Sequence, residues 1–478
     1  MVRLLHIPRS FAARRSLRLG ACCALACLSF PATLGCNGGG AKNGASGTAA
    51  QANRPWEVIV SADTAGWIVP CGCTSNQSGG LLRRGSMVEA ARREADVLVL
   101  DAGGAPHGVS RYDRLKFAAM LRGELEMNVA AHNIGAAEAA LGPDELRRLA
   151  AELKAPLVST NVLAADGKPI TETVRLVEVG ARRAAVFGVL SPSLAPPGVK
   201  TIAPRDAVLS GVAKLATRPE LIVVLAYAPE AELTALAEEL PEVDLVVGGP
   251  TGQPVPPRKV GPTLVASATN KGKFLARFRK EHPGAPWMGR IVEVDDKSVD
   301  EPQQKENLRR FYNELAALDL PAGDTSFVPA QVAMTSARTN TQSMLAGTAA
   351  CRKCHADDCR SWDASAHAHA WETLTASGSH VDSYCQQCHV TGFGRPGGFA
   401  SVKQSLERVD VGCESCHGPS KTHALQPTVA TGFVGAAADQ CRRCHDRENS
   451  PKFDYDAYWK RITHGVAAAR GAQPGGKP

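Results

Sequence analysis

The chain has 478 residues, with 54 lysines and arginines against 47 acidic residues, and a formal net charge of +7. This length exceeds what one hydrophobic core covers, so two or three folded units are expected. Five of the arginines precede residue 19, and the remaining net charge of only +2 argues against a nucleic-acid partner.

The first 36 residues have the pattern of an export signal. Five arginines and no acidic residue precede an uncharged apolar run at 19–35, which is too short and broken for a membrane span. Cys36 ends this run in a context that resembles a bacterial lipoprotein cleavage site, where the mature chain begins with a lipidated cysteine. Ordinary cleavage with release is the alternative. We expect a periplasmic or cell-envelope protein, anchored to the membrane if Cys36 carries lipid.

Residues 37–55 are rich in Gly, Ala and Ser and predict a flexible linker, which is followed by a domain at 56–300. Helical patterns in this domain occur at 143–154 and 229–240. Short apolar runs that predict buried strands occur at 57–62, 97–101, 156–160, 184–190, 221–226 and 243–248. This alternation predicts an α/β fold, with a largely parallel sheet covered by helices.

Residues 301–345 predict a helical connector and linker, with a charged amphipathic helix at 302–318. Beyond this point aliphatic residues become rare while cysteine and histidine become frequent. We therefore predict a separate domain at 346–468, followed by a tail at 469–478.

Four copies of Cys-x-x-Cys-His stand in this last domain. Two thiols three positions apart can reach the two vinyl groups of one haem, and the adjacent histidine then lies under the iron as its proximal ligand. Zinc sites or disulfides are alternatives for paired cysteines, but neither explains a histidine after every second cysteine. The motifs predict four covalent haem c groups. Their thioether cysteines and proximal histidines are Cys351, Cys354 and His355; Cys385, Cys388 and His389; Cys413, Cys416 and His417; and Cys441, Cys444 and His445.

The second axial ligand of each iron is constrained by composition. No methionine follows Met344, so Met/His ligation cannot be made within this domain, and bis-histidine haems of low potential are expected. The histidines outside the motifs that could serve are His367, His369, His380, His423 and His464.

Several strings around these residues carry a family resemblance. They include Ser365-Ala366-His367-Ala368-His369-Ala370, Cys388-His389-Val390-Thr391-Gly392-Phe393-Gly394 and Val411-Gly412-Cys413-Glu414-Ser415-Cys416-His417-Gly418-Pro419. Over residues 347–465 the chain resembles the cytochrome c-554 family of tetrahaem electron carriers.

That resemblance implies a mainly α, haem-packed domain with close haem pairs, and it implies distal ligands at His367, His423 and His464. It also implies that the haem on His389 is five-coordinate, although His380 could close this site. An open iron could bind a small ligand such as NO. A multihaem reductase of a small nitrogen oxide is therefore the alternative to an electron carrier.

A second resemblance covers residues 57–295. It is carried by the following strings, in order: Ser61-Ala62-Asp63-Thr64-Ala65-Gly66, Leu100-Asp101-Ala102-Gly103-Gly104, Asn133-Ile134-Gly135-Ala136-Ala137-Glu138 and Val247-Gly248-Gly249-Pro250-Thr251-Gly252. They resemble the metallophosphoesterase domain of the periplasmic 5′-nucleotidases, which implies an α/β metallophosphoesterase-like sandwich.

The metal ligands of that family do not carry over. Among the positions that hold metal ligands in the family, only Asp63 keeps a ligand residue. The positions where the family has aspartate or histidine are occupied here by Ala65, Gly104, Ala137, Tyr227, Pro250 and Gly252. A two-metal site needs several oxygen and imidazole ligands, so we predict a domain that has lost its metal centre. A surviving metallophosphohydrolase is the alternative. The remaining histidines of this region, expected at the surface or in loops, are His107, His132 and His282.

Cys71 and Cys73 lie just past the strand that carries Asp63, where an α/β sheet presents its binding crevice. Their surroundings resemble nucleotidase-like proteins in which the first cysteine can be selenocysteine, which implies a redox or soft-metal site. A bridge from one of them to Cys359, or two inert thiols, are the alternatives. As a whole, the sequence predicts an exported electron-transfer protein that works with redox partner proteins.

Overall fold

The computed structural model describes residues 54–70, 77–327, 344–431 and 438–465. Within these ranges every strand lies before residue 294, and the part beyond residue 344 contains helices and turns with one isolated bridge. The strands are β1 (Trp56–Ser61), β2 (Asp96–Asp101), β3 (Val129–Asn133), β4 (Leu157–Val158), β5 (Val162–Leu163), β6 (Arg175–Val179), β7 (Arg182–Leu190), β8 (Lys200–Thr201), β9 (Leu221–Tyr227), β10 (Leu245–Gly249), β11 (Val255–Val260), β12 (Thr263–Ser267), β13 (Phe274–Lys280) and β14 (Met288–Glu293).

Seven of the described α-helices belong to the N-terminal region, and eight short ones belong to the C-terminal region beyond residue 344. The first seven are α1 (Leu81–Glu94), α2 (Arg111–Glu126), α3 (Ala136–Leu141), α4 (Pro143–Leu153), α5 (Pro204–Ala213), α6 (Glu230–Glu239) and α7 (Pro302–Leu318). The others are α8 (Thr348–Cys351), α9 (Ala356–Asp363), α10 (Ala370–Ser377), α11 (Ser383–His389), α12 (Cys413–His417), α13 (Lys421–Leu425), α14 (Ala438–Cys441) and α15 (Tyr455–Ile462).

Two six-stranded sheets form the N-terminal region. The first has the order β14-β13-β1-β2-β3-β4, and the second has the order β11-β12-β10-β9-β7-β6. The four strands β1 to β4 are parallel, as are β7, β9, β10 and β12, and the antiparallel strands stand at the sheet edges. The sequence explains this order, because β9 is a continuous apolar run that is buried throughout, whereas edge strand β6 alternates half-buried and exposed residues before its buried last residue.

The two sheets pack face to face. Val58 and Leu100 of the first sheet share one buried cluster with Val223 and Val247 of the second. Helices α1 to α4 and α7 cover the outer face of the first sheet, and α5 and α6 cover the outer face of the second. The predicted α/β sandwich is therefore confirmed as a four-layer arrangement, with two sheets rather than one sheet between the helices.

Individual elements agree with the sequence prediction except at a sheet edge. The six predicted strands correspond to β1, β2, β4, β7, β9 and β10, and the three predicted helices correspond to α4, α6 and α7. Strand β4 has two residues where the sequence predicted five, because its ladder with β3 at the edge of the sheet covers only Leu157 and Val158.

Helix α7 packs on the α/β region rather than standing apart from it. Its Phe311 and Leu315 are buried in the helix layer of the first sheet. Its Asn307 Nδ2 donates to the Ala119 carbonyl of α2 at 2.8 Å, and Gln304 Nε2 donates to the Gly123 carbonyl at 2.9 Å. The segment predicted as a connector thus contributes a layer helix, while the proposed domain boundaries stay a prediction.

The C-terminal region is built from short helices around a small aromatic core. Phe399 is fully buried, and its ring contacts Trp371 and stacks on Phe393. The mainly helical prediction is confirmed, with the single bridge Val390↔Val409 as the only β pairing among the residues described beyond 344. In the described part of the chain, no helix is both long and apolar enough to cross a membrane.

Candidate haem site

Each Cys-x-x-Cys-His motif lies on or beside one turn of helix. The second and third motifs occupy α11 and α12, and the first and fourth begin at the last residues of α8 and α14. In the fourth motif the His445 N–H donates to the Cys441 carbonyl at 2.8 Å, and the equivalent bond in the first is 2.9 Å. One helical turn brings residues three apart to the same side, so the two thiols of a motif can face one ligand. No disulfide joins any of the eight motif cysteines in the described structure.

Thiol contacts show which motifs are neighbours. Cys351 of the first motif hydrogen-bonds Cys413 of the third, and Cys388 of the second hydrogen-bonds Cys444 of the fourth. Cys416 of the third motif lies close enough to the fourth to interact electrostatically with its cysteines. The motifs are therefore arranged in the order first, third, fourth, second, with the first and third forming one pair and the second and fourth another.

Three motif histidines face a histidine from outside the motifs. The ring centroids are 6.2 Å apart for His355 and His423, 6.2 Å for His445 and His367, and 5.9 Å for His417 and His464. Two imidazoles that bind one metal ion through nitrogens at about 2 Å would have their ring centroids about 6 Å apart. These three pairs therefore fit an iron held between two axial histidines.

Hydrogen bonds orient several of these rings. His423 Nδ1 lies 2.7 Å from the Val429 carbonyl, His464 Nδ1 lies 2.8 Å from the Ile462 carbonyl, and His389 Nδ1 lies 2.7 Å from the Ala370 carbonyl. A carbonyl can only accept, so the proton stands on Nδ1 and Nε2 keeps its lone pair for a metal.

Burial also favours the form of histidine that binds metals. Desolvation lowers the pKa of His367, His417 and His445 below the ordinary histidine value, with a smaller contribution from a neighbouring histidine in each case. These rings are therefore neutral at neutral pH, which is the protonation state a metal ligand needs.

The remaining two candidates behave differently. His369 is exposed, its Nδ1 lies 3.3 Å from Glu372, and its Nε2 lies 3.0 Å from the Asp363 carbonyl. Both nitrogens are thus engaged. His380 packs edge-on against Trp371, and its Nδ1 is buried with no hydrogen-bond partner among the described residues. His367 rather than His369 therefore faces a motif histidine.

A cavity of about 400 Å³ adjoins His445. Arg442 and Arg447 line it together with Phe453, whose ring stacks on His445 at a centroid distance of 4.8 Å. The cavity thus has an apolar ring beside the imidazole, and two guanidinium groups line it. This combination suits a flat apolar group that carries carboxylates, which is the chemistry of haem.

At the carboxyl edge of the first sheet, Tyr227 from the end of β9 fills the crevice. A Cβ built on Gly104 would lie 2.6 Å from Tyr227 Cε2, and one built on Gly135 would lie 2.7 Å from Tyr227 Cδ2. Thr269 Oγ1 donates to Asp63 Oδ2 at 2.9 Å, and burial raises the pKa of the Asp63 carboxyl. Tyr227 therefore occupies the space between Asp63 and these two glycines.

The sequence prediction for His132 is wrong, because His132 on β3 is fully buried in an ionic network. Its Nδ1 lies 2.8 Å from Glu124, and its Nε2 lies 3.2 Å from Glu138. Arg84 from α1 approaches Asp101 at 3.2 Å and Glu124 at 3.4 Å. The prediction failed because β3 lies between β2 and β4 under a helix layer, and the partners come from separate helices without a common sequence motif.

This network does not suit a metal ion, although Asp101, Glu124 and His132 lie close enough together to hold one. The side chains of Arg84 and His132 are both cationic and already neutralise carboxylates of the network. Burial alone would lower the pKa of His132, but Glu124 and Glu138 raise it well above the ordinary value. A protonated imidazole is not a metal ligand.

Some of the predicted positions lie elsewhere. Cys36, Cys71 and Cys73 fall outside the described residues. Cys359 is a free thiol and is 2% exposed. His107 and His282 are exposed, as the sequence predicted.

Two kinds of known protein are similar to this chain. A 90-residue segment is 36% identical to cytochrome c-554 of Nitrosomonas europaea, covering 16% of this chain and 38% of that protein. The chain thus matches less than half of that relative's length.

Solved structures are similar over the N-terminal region. A 5′-nucleotidase precursor from Thermus thermophilus gives a TM-score of 0.47 at 22% identity, covering 55% of this chain and 59% of that one. A calcineurin-like phosphoesterase from Bacillus subtilis gives 0.47 at 14% identity, covering 55% and 97%.

The family model described as cytochrome c554 and c-prime matches residues 350–418. The resemblance of the C-terminal region to this family is thereby confirmed over residues 350–418.

Proposed function

We propose that this protein is an exported c-type cytochrome that transfers electrons through four covalent haem c groups. The observation that carries the proposal is the pairing of three motif histidines with three different histidines from outside the motifs, each at about 6 Å. Disulfides or Cys₄ zinc sites would give no reason for such pairs.

The chain itself supplies the attachment and axial ligands. In this proposal, the cysteines of each motif form the thioethers and the following histidine is the proximal ligand. The distal ligands are His423 for the first haem, His464 for the third and His367 for the fourth. Haem c supplies one-electron redox chemistry when bound.

The motif contacts suit electron transfer. The first and third motifs touch through their thiols, as do the second and fourth, and the third approaches the fourth. The four binding sites are thus neighbours in one continuous row. Redox partner proteins would exchange electrons at the exposed parts of this row.

We infer that the α/β region no longer hydrolyses phosphoesters. The Tyr227 ring lies beside Asp63 and Gly104. The Glu138 carboxylate at the same edge already accepts from the Gly104, Ala105 and Gly135 N–H groups and contacts His132 Nε2, so Asp63 alone is left where a dinuclear site needs several ligands. Cys71 and Cys73, which follow Asp63 closely in the sequence, are proposed as a redox or metal pair. Cys36 is proposed as the lipid anchor of a periplasmic or envelope protein.

Mass spectrometry with an optical and EPR redox titration of the purified, exported protein tests the haem proposal. We expect the added mass of four haems, a reduced c-type absorption band, and low-spin signals from bis-histidine irons. The double variant Cys385→Ser/Cys388→Ser is the control and should lose the mass of one haem. Absence of added mass and of the absorption band would contradict the proposal.

The same spectra examine the alternative of a reductase for a small nitrogen oxide. Three of the outside histidines face other motifs, and both nitrogens of His369 are engaged, which favours an open iron on His389 unless His380 binds it. An open iron gives a high-spin signal that shifts when NO or nitrite is added. A wholly low-spin spectrum would rule the reductase out.

Assays with nucleotides and added manganese or zinc test the loss of hydrolase activity. We expect no turnover, because Asp63 is the only ligand residue kept at the family's ligand positions and the Tyr227 ring lies against Gly104 and Gly135. The comparison variants are Asp63→Ala and Asp144→Ala, the latter an exposed carboxylate on α4. Turnover that Asp63→Ala abolishes and Asp144→Ala leaves intact would show a working hydrolase site.

A further inference from the structure

Helix α2 of the α/β region contacts Asp382, the residue that caps the helix carrying the second motif. Asp382 is the N-cap of α11, where its Oδ1 accepts the Tyr384 backbone N–H at 3.0 Å. The Tyr112 hydroxyl of α2 donates to the same oxygen. Lys116 Nζ, one turn further along α2, lies 3.8 Å from Asp382 Oδ2 and donates to the Tyr112 hydroxyl at 2.8 Å.

This contact is closed to water. Tyr112 is fully buried, and Asp382 and Lys116 are 3% and 8% exposed. A buried carboxylate and a buried ammonium hold each other strongly, since removal of either leaves an uncompensated charge. The start of α11 is therefore fixed by two side chains that belong to the other region of the chain.

Aromatic rings extend the contact towards the motif cysteines. The Lys116 ammonium lies 5.1 Å from the ring centroid of Tyr384, the residue before Cys385. Phe327 packs edge-on against Tyr384 at 5.7 Å and against Tyr112 at 5.4 Å. Lys116 of α2 and Phe327 of the connector thus both contact Tyr384, the residue before Cys385.

Helix α11 is a single helix of seven residues, Ser383–His389, which couples its first turn to the motif residues through continuous helical backbone. It carries Cys385, Cys388 and His389, so a shift at Asp382 would displace both thioether cysteines and the proximal histidine together. A small change in the position of an axial ligand alters the electronic state of the iron it binds.

We propose that Tyr112 and Lys116 are positioning residues for the second haem, acting through Asp382 on helix α11. The inference rests on the proposed function, because it requires haem at the second motif. In this inference the α/β region has a role in electron transfer, because Tyr112 and Lys116 of its helix α2 influence the redox properties of the second haem.

The test uses the full chain with Tyr112→Phe and Lys116→Met. Tyr112→Phe keeps the ring and removes only the hydroxyl, and Lys116→Arg should restore the cation. The control is Asp319→Asn, which weakens another contact between the regions, where Asp319 accepts from Ser401 Oγ at 2.7 Å and from the Lys403 N–H at 3.0 Å.

The readout is the redox titration and EPR signal of the second haem, assigned as the signal lost in Cys385→Ser/Cys388→Ser. We expect about a tenfold change in its ratio of oxidised to reduced form at fixed potential, equal to about 59 mV for a one-electron couple. The other haems and the Asp319→Asn protein should stay unchanged.

Two results would overturn the inference. One is an unaltered second haem in Tyr112→Phe, and the other is a change shared equally by all haems or by Asp319→Asn, which would make the contact a general joint between regions. Should Lys116→Met not fold, Tyr112→Phe decides alone. A wild-type protein without haem would instead refute the proposed function.

Discussion

Replacing His367 by methionine is expected to raise the midpoint potential of one haem by on the order of 0.1 V, because Met/His ligation raises the potential relative to bis-histidine. His367 faces His445 at a ring centroid distance of 6.2 Å, and burial lowers its pKa, so its ring is neutral at neutral pH, as a metal ligand must be. Potentiometric titration with optical detection measures the shift, which should involve a single haem.

The adjacent candidate provides a matched control. His369 stands two residues away in the same turn, but it is exposed and both of its nitrogens are engaged. His369→Met should therefore leave every potential unchanged. If His369→Met moved the potential and His367→Met did not, the assignment of the distal ligand to His367 would be wrong.

The strands and the haem motifs could be predicted because their signals are local. A buried parallel strand such as β9 is a continuous apolar run, and Cys-x-x-Cys-His needs only one helical turn to bring its groups together. The family resemblance implies distal ligands at His367, His423 and His464, and each of these faces a motif histidine in the structure.

Features that depend on distant segments could not be predicted in this way. The Tyr227 ring covers Gly104 and Gly135, which lie far away in sequence and meet it only because β9 and β2 end at the same side of the sandwich. Likewise, nothing near Tyr112 or Asp382 indicates that the two meet across 270 residues. The division into two sheets also follows from packing rather than from any one run of residues.

Replacing Arg84 by methionine is expected to lower the free energy of unfolding of the α/β region by about 3–5 kcal/mol, because it leaves buried carboxylates without their cation. Arg84 and its partners Asp101 and Glu124 are at most 3% exposed in their side chains. Denaturant unfolding measures the change. The control is Arg148→Met on α4, whose exposed pairs with Glu145 and Glu152 should contribute no more than about 1 kcal/mol.

The pH dependence of this loss distinguishes an ionic network from simple packing. Burial and then Glu124 raise the pKa of Asp101 to about 6, so the folded state binds its proton more tightly than the unfolded chain does. That contribution to stability is present at low pH and is lost as the pH rises through about 6. Arg84 lowers the pKa of Asp101, so in the Arg84→Met protein this pKa is higher still. The stability of that protein therefore continues to fall at higher pH. The destabilisation by Arg84→Met should therefore be larger at about pH 8 than at about pH 5. A deficit that is the same at both pH values would mean that Arg84 stabilises the fold by filling space and not by its charge.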